Sequence, residues 1–101
     1  MTLILGIDPG SRVTGYGLIE TEGLKQRYVA SGCIKTNAKD ALPAKLEEIY
    51  SGINEIISEF NPEEFAIEKI FMARSADSAL KLGHARGVAL LAAQINQLPI
   101  S

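Results

Sequence analysis

The feature that most constrains the fold is the opening stretch LILGIDPGSR, in which an apolar run leads directly into a carboxylate and a turn. Leu3 to Ile7 is a short, continuous apolar run of the kind expected for a central strand covered on both faces. The letters DPGS that follow are turn chemistry, because proline fixes one backbone angle and glycine can adopt positive φ. The run therefore predicts a rigid strand that carries Asp8 to the point where the backbone turns.

Two more strands and a helix are predicted after this turn. Val13 to Ile19 and Tyr28 to Ile34 are strand-like and are joined by the polar segment ETEGLKQR, which predicts a hairpin-like antiparallel extension of the first strand. From Asp40 to Phe60 the apolar residues recur at spacings of three and four, the pattern of an amphipathic helix. Asp40 is predicted to be its N-cap, and the dipeptide Asn-Pro after Phe60 ends it.

A fourth strand over Phe65–Phe71 and a second helix over Ser75–Gln97, capped by Ser75, complete the pattern. Gly83 and Gly87 predict a groove on this helix where another element packs closely, since each exposed helical glycine costs ~1 kcal/mol relative to alanine. The order β-β-β-α-β-α predicts an α/β sheet in which strands one and four run parallel, within a single domain over residues 1–101.

Composition narrows the class of protein further. A chain of 101 residues suits one small domain, and 47% apolar with 22% charged residues is typical of a globular protein. The formal net charge of −2 does not indicate a nucleic-acid binder, but residues 68–101 carry four Lys/Arg against two Asp/Glu. The single Cys33 predicts a core residue in a strand and a reducing compartment. Without a signal peptide or an apolar run of ~20 residues, the chain is predicted to be cytoplasmic and not membrane-bound.

Asp8 and Glu68 each lie near the carboxyl end of a predicted strand, the edge at which open α/β sheets bind ligands. If the strands are neighbours, about 4.8 Å apart, the carboxylates converge, and a Mg²⁺ ion would relieve their repulsion. Two structural alternatives to a metal site stay open: Asp8 could start the turn by bonding to the backbone, and Glu68 could be a surface residue on a strand edge. Phe71 is either a core aromatic or a stacking surface for unpaired bases. His84 is interpreted as solvent-facing, without zinc-ligand spacing.

Two longer stretches, ILGIDPGSRVTGYG and FAIEKIFMARSADSALKLGHARGVA, resemble the bacterial RuvC Holliday-junction resolvases, and SGCIKT and LPAKLEEIYSGINEII fit the same pattern. The resemblance covers the whole chain. It implies a ribonuclease-H-like fold and an endonuclease that cuts two strands of a four-way DNA junction in homologous recombination and repair. It also implies a homodimer formed through the second helix, and the branch-migration proteins RuvA and RuvB as partners.

The resemblance implies roles for single residues as well. Asp8 matches the first acidic ligand, and Glu68 the second, of a site that holds two Mg²⁺ (or Mn²⁺) ions and hydrolyses a phosphodiester. Phe71 matches an aromatic that inserts near the junction centre, and Arg74 matches a basic residue beside it. Lys81, in the same basic segment, is assigned with them to DNA binding.

One part of the family pattern has no counterpart in the sequence. The family completes its site with an acidic pair, or a histidine and an acid, on a C-terminal helix. The resemblance therefore implies an incomplete ribonuclease-H-like domain, truncated before the fifth strand and the C-terminal helices. With Asp8 and Glu68 alone, weak metal binding and little or no cleavage are expected, and strand four is expected to expose an unpaired edge.

Three other functions stay open. The DPGSRVTG turn could hold phosphate and Mg²⁺ as in the sugar kinases and actin-like ATPases, although the basic helix and Phe71 have no role there. A GIDPG-type opening also occurs in resolvase-like proteins of ribosomal RNA processing, but FMARSADSALKLG fits the junction resolvases better. Finally, the chain could be a non-catalytic module for junction binding or assembly.

Overall fold

The protein is described by a computed structural model that covers residues 1–67 and 76–101. Within these residues the chain forms four strands and two helices in the predicted order. They are β1 (Thr2–Asp8), β2 (Val13–Glu22), β3 (Lys25–Lys35), α1 (Leu42–Phe60), β4 (Glu64–Ile67) and α2 (Ala76–Ile95).

The strands form one mixed sheet in the order β3-β2-β1-β4, with β1 in its interior. β1 is antiparallel to β2 and parallel to β4, which confirms the predicted pairing of the first and fourth strands. β2 and β3 are longer than predicted, because the polar segment between them continues the ladder up to a tight turn at Gly23, where φ is 61°. A salt bridge between Arg27 and Glu20 joins the two strands near this turn.

The core lies between one face of the sheet and the helices. Leu5, Leu18 and Phe65 come from three adjacent strands, and Ile49 and Ile53 come from α1; all five are fully buried. Each such side chain contributes roughly 1.5–3 kcal/mol through burial. The three- and four-residue spacing of α1 therefore places its isoleucines against the sheet, as the sequence predicted.

The second helix packs against the first mainly through small residues. Among the side chains of α2 that the structure describes, the fully buried ones are the alanines at positions 85, 89, 92 and 93. Near its end the Asn96 side-chain amide donates to Asn54 Oδ1 of α1 and to the Ala92 carbonyl, both at 2.7 Å. Since alanine side chains are short, the two helix backbones can approach closely.

Three local expectations are wrong. Ala41, not Asp40, is the N-cap of α1 and makes no side-chain hydrogen bond, because Asp40 belongs to the preceding turn, where its N–H donates to Asn37 O at 3.0 Å. Cys33 is exposed, since it pairs with Gly15 on the face of the sheet that does not carry the helices. β1 is buried in alternation rather than on both faces. The predicted Ser75 cap lies outside the described residues.

The edge of β4 is paired in part, which corrects the expectation of an unpaired edge. The Phe65 N–H donates to Pro99 O and the Ser101 N–H donates to Phe65 O, each at 2.9 Å. Ile100 thereby forms a parallel bridge to Phe65, and the last residues of the chain run beside β4. No helix in the described part of the chain is both long and apolar enough to cross a membrane.

Candidate active site

Asp8 is the last residue of β1 and lies at the edge where β1 and β4 end together. The residue before it, Ile7, is paired in parallel register with Ile67, the last described residue of β4. The prediction that the first and fourth strands are neighbours is therefore confirmed. Glu68 follows Ile67 in the sequence and lies outside the described residues, so its convergence with Asp8 stays a prediction.

The turn after Asp8 is closed by a different residue from the one the sequence suggested. Thr14 is fully buried, and its hydroxyl donates to Gly10 O at 2.8 Å. The Gly10 N–H in turn donates to Thr14 Oγ1 at 3.3 Å. Thr36 adds a second anchor, because its hydroxyl donates to Ser11 O at 2.7 Å. Sequence reasoning missed Thr14, although a threonine four residues after a turn glycine is a recognisable signal.

The Asp8 carboxylate is consequently available for another role. It is exposed and makes no hydrogen bond or ion pair with residues 1–67 or 76–101. The interpretation of Asp8 as a turn-starting residue, with its side chain bonded to the backbone, finds no support in that part of the chain. A solvent-accessible carboxylate on a rigid strand end is the donor type that Mg²⁺ prefers, so Asp8 fits a metal ligand.

The surface beside Asp8 is an open cleft floored by the sheet. Strand register places Gly6 opposite Gly17 and Ala66, and Asp8 opposite Gly15, all on the face that does not carry the helices. A Cβ at Gly17 would meet nothing within 4 Å, and one at Gly15 would lie 3.7 Å from Asp8 Cβ. The cleft holds about 550 Å³. Ile7, Tyr16 and Ile67 also line the cleft, and the glycines let an extended chain approach the backbone beside Asp8.

The remaining predicted site residues are only partly described. Glu68, Phe71 and Arg74 lie outside the described residues. Lys81 is exposed on α2 and lines a different pocket from that of Asp8. Across residues 1–67 and 76–101, no group of three His, Cys, Asp or Glu side chains is placed to hold a metal ion. The described part of the chain thus contributes Asp8 as its metal-ligand candidate.

The exposed side of α2 forms a second surface of interest, the outer face, made of Leu80, Gly83, Gly87, Leu91 and Ile95. The last two of these also line an open groove together with residues of α1. The three large side chains of the outer face are exposed, at 63%, 52% and 56% in chain order. A Cβ at either glycine would meet nothing within 4 Å. No described element of this chain packs on the two glycines, so the close packing expected there stays a prediction.

Comparisons with known proteins agree with these features. The family model described as crossover junction endodeoxyribonuclease RuvC matches residues 4–101. Curated proteins of that description from Shewanella oneidensis and Proteus mirabilis are 56% and 59% identical over 101 and 100 residues, or 100% and 99% of this chain. The chain spans 58% and 57% of their lengths.

A solved structure, T. thermophilus RuvC in complex with a Holliday junction substrate, matches with a TM-score of 0.90 at 30% sequence identity. The match covers 99% of this chain and 61% of that one. The ribonuclease-H-like α/β fold expected from the sequence is thereby confirmed for the part of the fold that the chain contains.

Proposed function

This chain belongs to the crossover junction endodeoxyribonuclease RuvC family. From that premise we propose that it is part of a structure-selective endonuclease that resolves four-way DNA junctions in recombination and repair. The observation that carries the proposal is the parallel register of Ile7 with Ile67, which brings the ends of β1 and β4 together beside an open cleft. Ligands of α/β sheets bind at such strand ends.

The proposed chemistry is paired, metal-dependent hydrolysis of phosphodiesters. Asp8 and Glu68 would hold the Mg²⁺ (or Mn²⁺) ions, two per complete site, which supply an activated water and stabilise the leaving oxygen. The protein's own contribution at Asp8 is rigidity, because β1 is paired on both sides and the turn that follows is tied by Thr14. The glycine floor leaves a path for the scissile strand.

DNA contacts are proposed for three residues that follow β4 in the sequence. Phe71 would stack near the junction centre, and Arg74 and Lys81 would neutralise phosphates around it. Because the chain spans 58% of the curated relatives' length and carries two of the acids that the family uses, we expect the chain alone to bind junctions and cleave them little.

Assembly is part of the same proposal. A homodimer through the outer face of α2 would cover Leu80, Leu91 and Ile95, and its two-fold symmetry would place two sites on symmetric strands. RuvA and RuvB are the proposed partners in branch migration. A cytoplasmic location is proposed as well, and the unpaired, exposed Cys33 is compatible with a reducing compartment.

The test is a chimaera in which the remaining part of the Shewanella oneidensis relative follows Ser101. We expect the chimaera to cleave four-way junctions in Mg²⁺ far faster than linear duplex of the same sequence. Asp8→Asn should reduce cleavage by more than the ~10–100-fold that loss of an outer-shell partner costs, while junction binding persists. Glu22→Gln, which removes an exposed charge at the end of β2, is the matched control and should cleave normally.

Two results would contradict the proposal. Equal cleavage of junction and duplex would remove the structural selectivity, and parental cleavage by Asp8→Asn would remove the metal assignment. A non-catalytic, junction-binding role is the second candidate, because the described residues bring no three metal ligands together. It would be favoured if the chimaera bound junctions selectively and left them uncut in both Mg²⁺ and Mn²⁺.

A further inference from the structure

A second pocket, of about 540 Å³, lies between the β1–β2 turn, the loop before α1 and the N-terminal halves of both helices. Its volume is within the ~300–1,000 Å³ typical of ligand sites. It shares no lining residue with the Asp8 cleft. Of the described residues that line it, three are cationic, Arg12, Lys45 and Lys81, and one is acidic, Asp40. The pocket is therefore cationic in a chain whose net charge is −2.

The backbones that carry these cations are held in place by hydrogen bonds. Arg12 O accepts from Thr36 N at 3.0 Å, which ties the β1–β2 turn to the end of β3. Lys45 N donates to Ala41 O at 3.2 Å as α1 begins. Each cation comes from a different element, so the fold and not the local sequence brings them together. Within the described parts of the chain, neither Arg12 nor Lys45 has a carboxylate within ion-pair distance.

The start of α1 adds to the positive potential at this pocket. Ala41 provides no side-chain cap, and the first turn of the helix contains no acidic residue. The partial positive charge of the helix N-terminus is therefore not offset by a carboxylate in that turn. Lys45 projects from the same end of the helix, and its side chain is only partly exposed. Anions are favoured where backbone N–H groups and cationic side chains coincide.

We propose that Arg12, Lys45 and Lys81 form a binding site for a backbone phosphate of DNA beside the Asp8 cleft. The site rests on the proposed function, since it is the DNA strand approaching Asp8 that would present the phosphate. The β1–β2 turn connects the two places directly, because it begins after Asp8 and contains Arg12. The negative charge of Asp40 opposes phosphate binding in this pocket, so removing that charge is expected to tighten DNA binding.

The experiment measures binding of a fluorescent four-way junction and a linear duplex to the 101-residue chain by anisotropy, between 50 and 200 mM salt. Arg12→Gln and Lys45→Gln should each weaken binding of both DNAs by about 3- to 10-fold at 100 mM salt. Each should also reduce the slope of log K against log salt by about 0.9. Circular dichroism spectra of the variants establish that the fold is intact.

Two further variants make the result specific to the pocket. Lys25→Gln removes one exposed cation at the far end of the sheet, in the β2–β3 hairpin, and should leave affinity and slope close to parental. Asp40→Asn removes the opposing charge, so it should tighten binding of both DNAs. Competition with inorganic phosphate distinguishes a DNA site from a site for the free anion.

The outcomes separate this inference from the proposed function. If Arg12→Gln and Lys45→Gln bind DNA with the affinity and salt slope of the parental chain, the phosphate site is overturned, even if inorganic phosphate binds there. A preference for the junction over the duplex in the same experiment would still support the proposed function. Losses in both variants without any preference for the junction support the site and count against the function. Absence of DNA binding by the parental chain at 50 mM salt overturns both.

Discussion

The two helices have nearly the same length, 19 and 20 residues, but they use their apolar side chains in opposite ways. α1 turns its largest side chains inward, with Ile49 and Ile53 fully buried against the sheet. α2 buries alanines and leaves Leu80 and Leu91 exposed. In α1 the apolar residues build the core of this chain. In α2 the buried alanines and the partly buried Val88 and Leu90 pack against the core, while Leu80 and Leu91 remain available to another surface.

The difference shows that apolar content alone does not locate a core. α2 is at least as rich in apolar residues as α1, yet its Leu80, Leu91 and Ile95 lie on the solvent side. Exposed apolar residues that cluster on one helix face indicate an interaction surface more often than scattered ones do. The stability of the chain should therefore depend on α1, and its assembly on α2.

The sharpest test compares equal deletions in the two helices. Ile53→Ala should lower the free energy of unfolding by about 2–5 kcal/mol, because it leaves a cavity in the core. Leu91→Ala removes a similar volume from an exposed position and should change the free energy of unfolding by less than about 0.5 kcal/mol. Urea denaturation of dilute protein measures both. Similar losses would mean that the two helices contribute equally to the core.

A smaller effect is expected from enlarging the interface between the helices. Ala89→Leu places three more carbon atoms where α2 meets α1 and should destabilise the chain by about 1–3 kcal/mol. Ala76→Leu makes the same change at an exposed position at the start of α2 and should be nearly neutral. Thermal melting of both variants gives the comparison. If Ala89→Leu melted like the parent, the helices would not be closely packed at this point.

The assembly role of α2 predicts a change in self-association. Leu91→Glu should weaken the proposed dimer at least 10-fold, about 1.4 kcal/mol, since a charge would be buried at its interface. Leu24→Glu, at a fully exposed turn position between β2 and β3, is the control and should dimerise normally. Sedimentation equilibrium measures both constants. An unchanged constant for Leu91→Glu would place the dimer contact elsewhere.

The smallest predicted effect is a gain in stability. Gly83→Ala should raise the free energy of unfolding of the monomer by roughly 1 kcal/mol, because alanine favours the helix and the new Cβ meets nothing within 4 Å. Gly10→Ala should do the opposite, since its Cβ would lie 2.3 Å from Val13 O. Chemical denaturation decides the sign. A loss of stability in Gly83→Ala would indicate a contact that packs on the glycine.

Sequence patterns predicted the elements well where one period dominated. The apolar run before Asp8 predicted β1, and the helical spacing up to Phe60 predicted the end of α1. The parallel pairing of β1 with β4 followed from the helix between them. The first two features could be predicted because each depends on residues close together in the chain, and the pairing because a strand–helix–strand connection favours parallel strands.

Other features depend on contacts between distant residues, which periodicity does not report. Cys33 was expected in the core but is exposed, since the strand register places it on the face of the sheet that the helices do not cover. Thr14 closes the turn, so the Asp8 carboxylate is available to bind a ligand, and the letters DPG alone do not show this. Arg12 and Lys45 were not singled out, because they are 33 positions apart and meet only in the folded chain.

The hydrogen bonds of Phe65 with Pro99 and Ser101 have a mechanical consequence. The residues that follow α2 return to β4, so these hydrogen bonds tie the C-terminal end of the helix to that strand. A protein or second copy that tilted α2 would transmit the force through Phe65 to the strand beside β1.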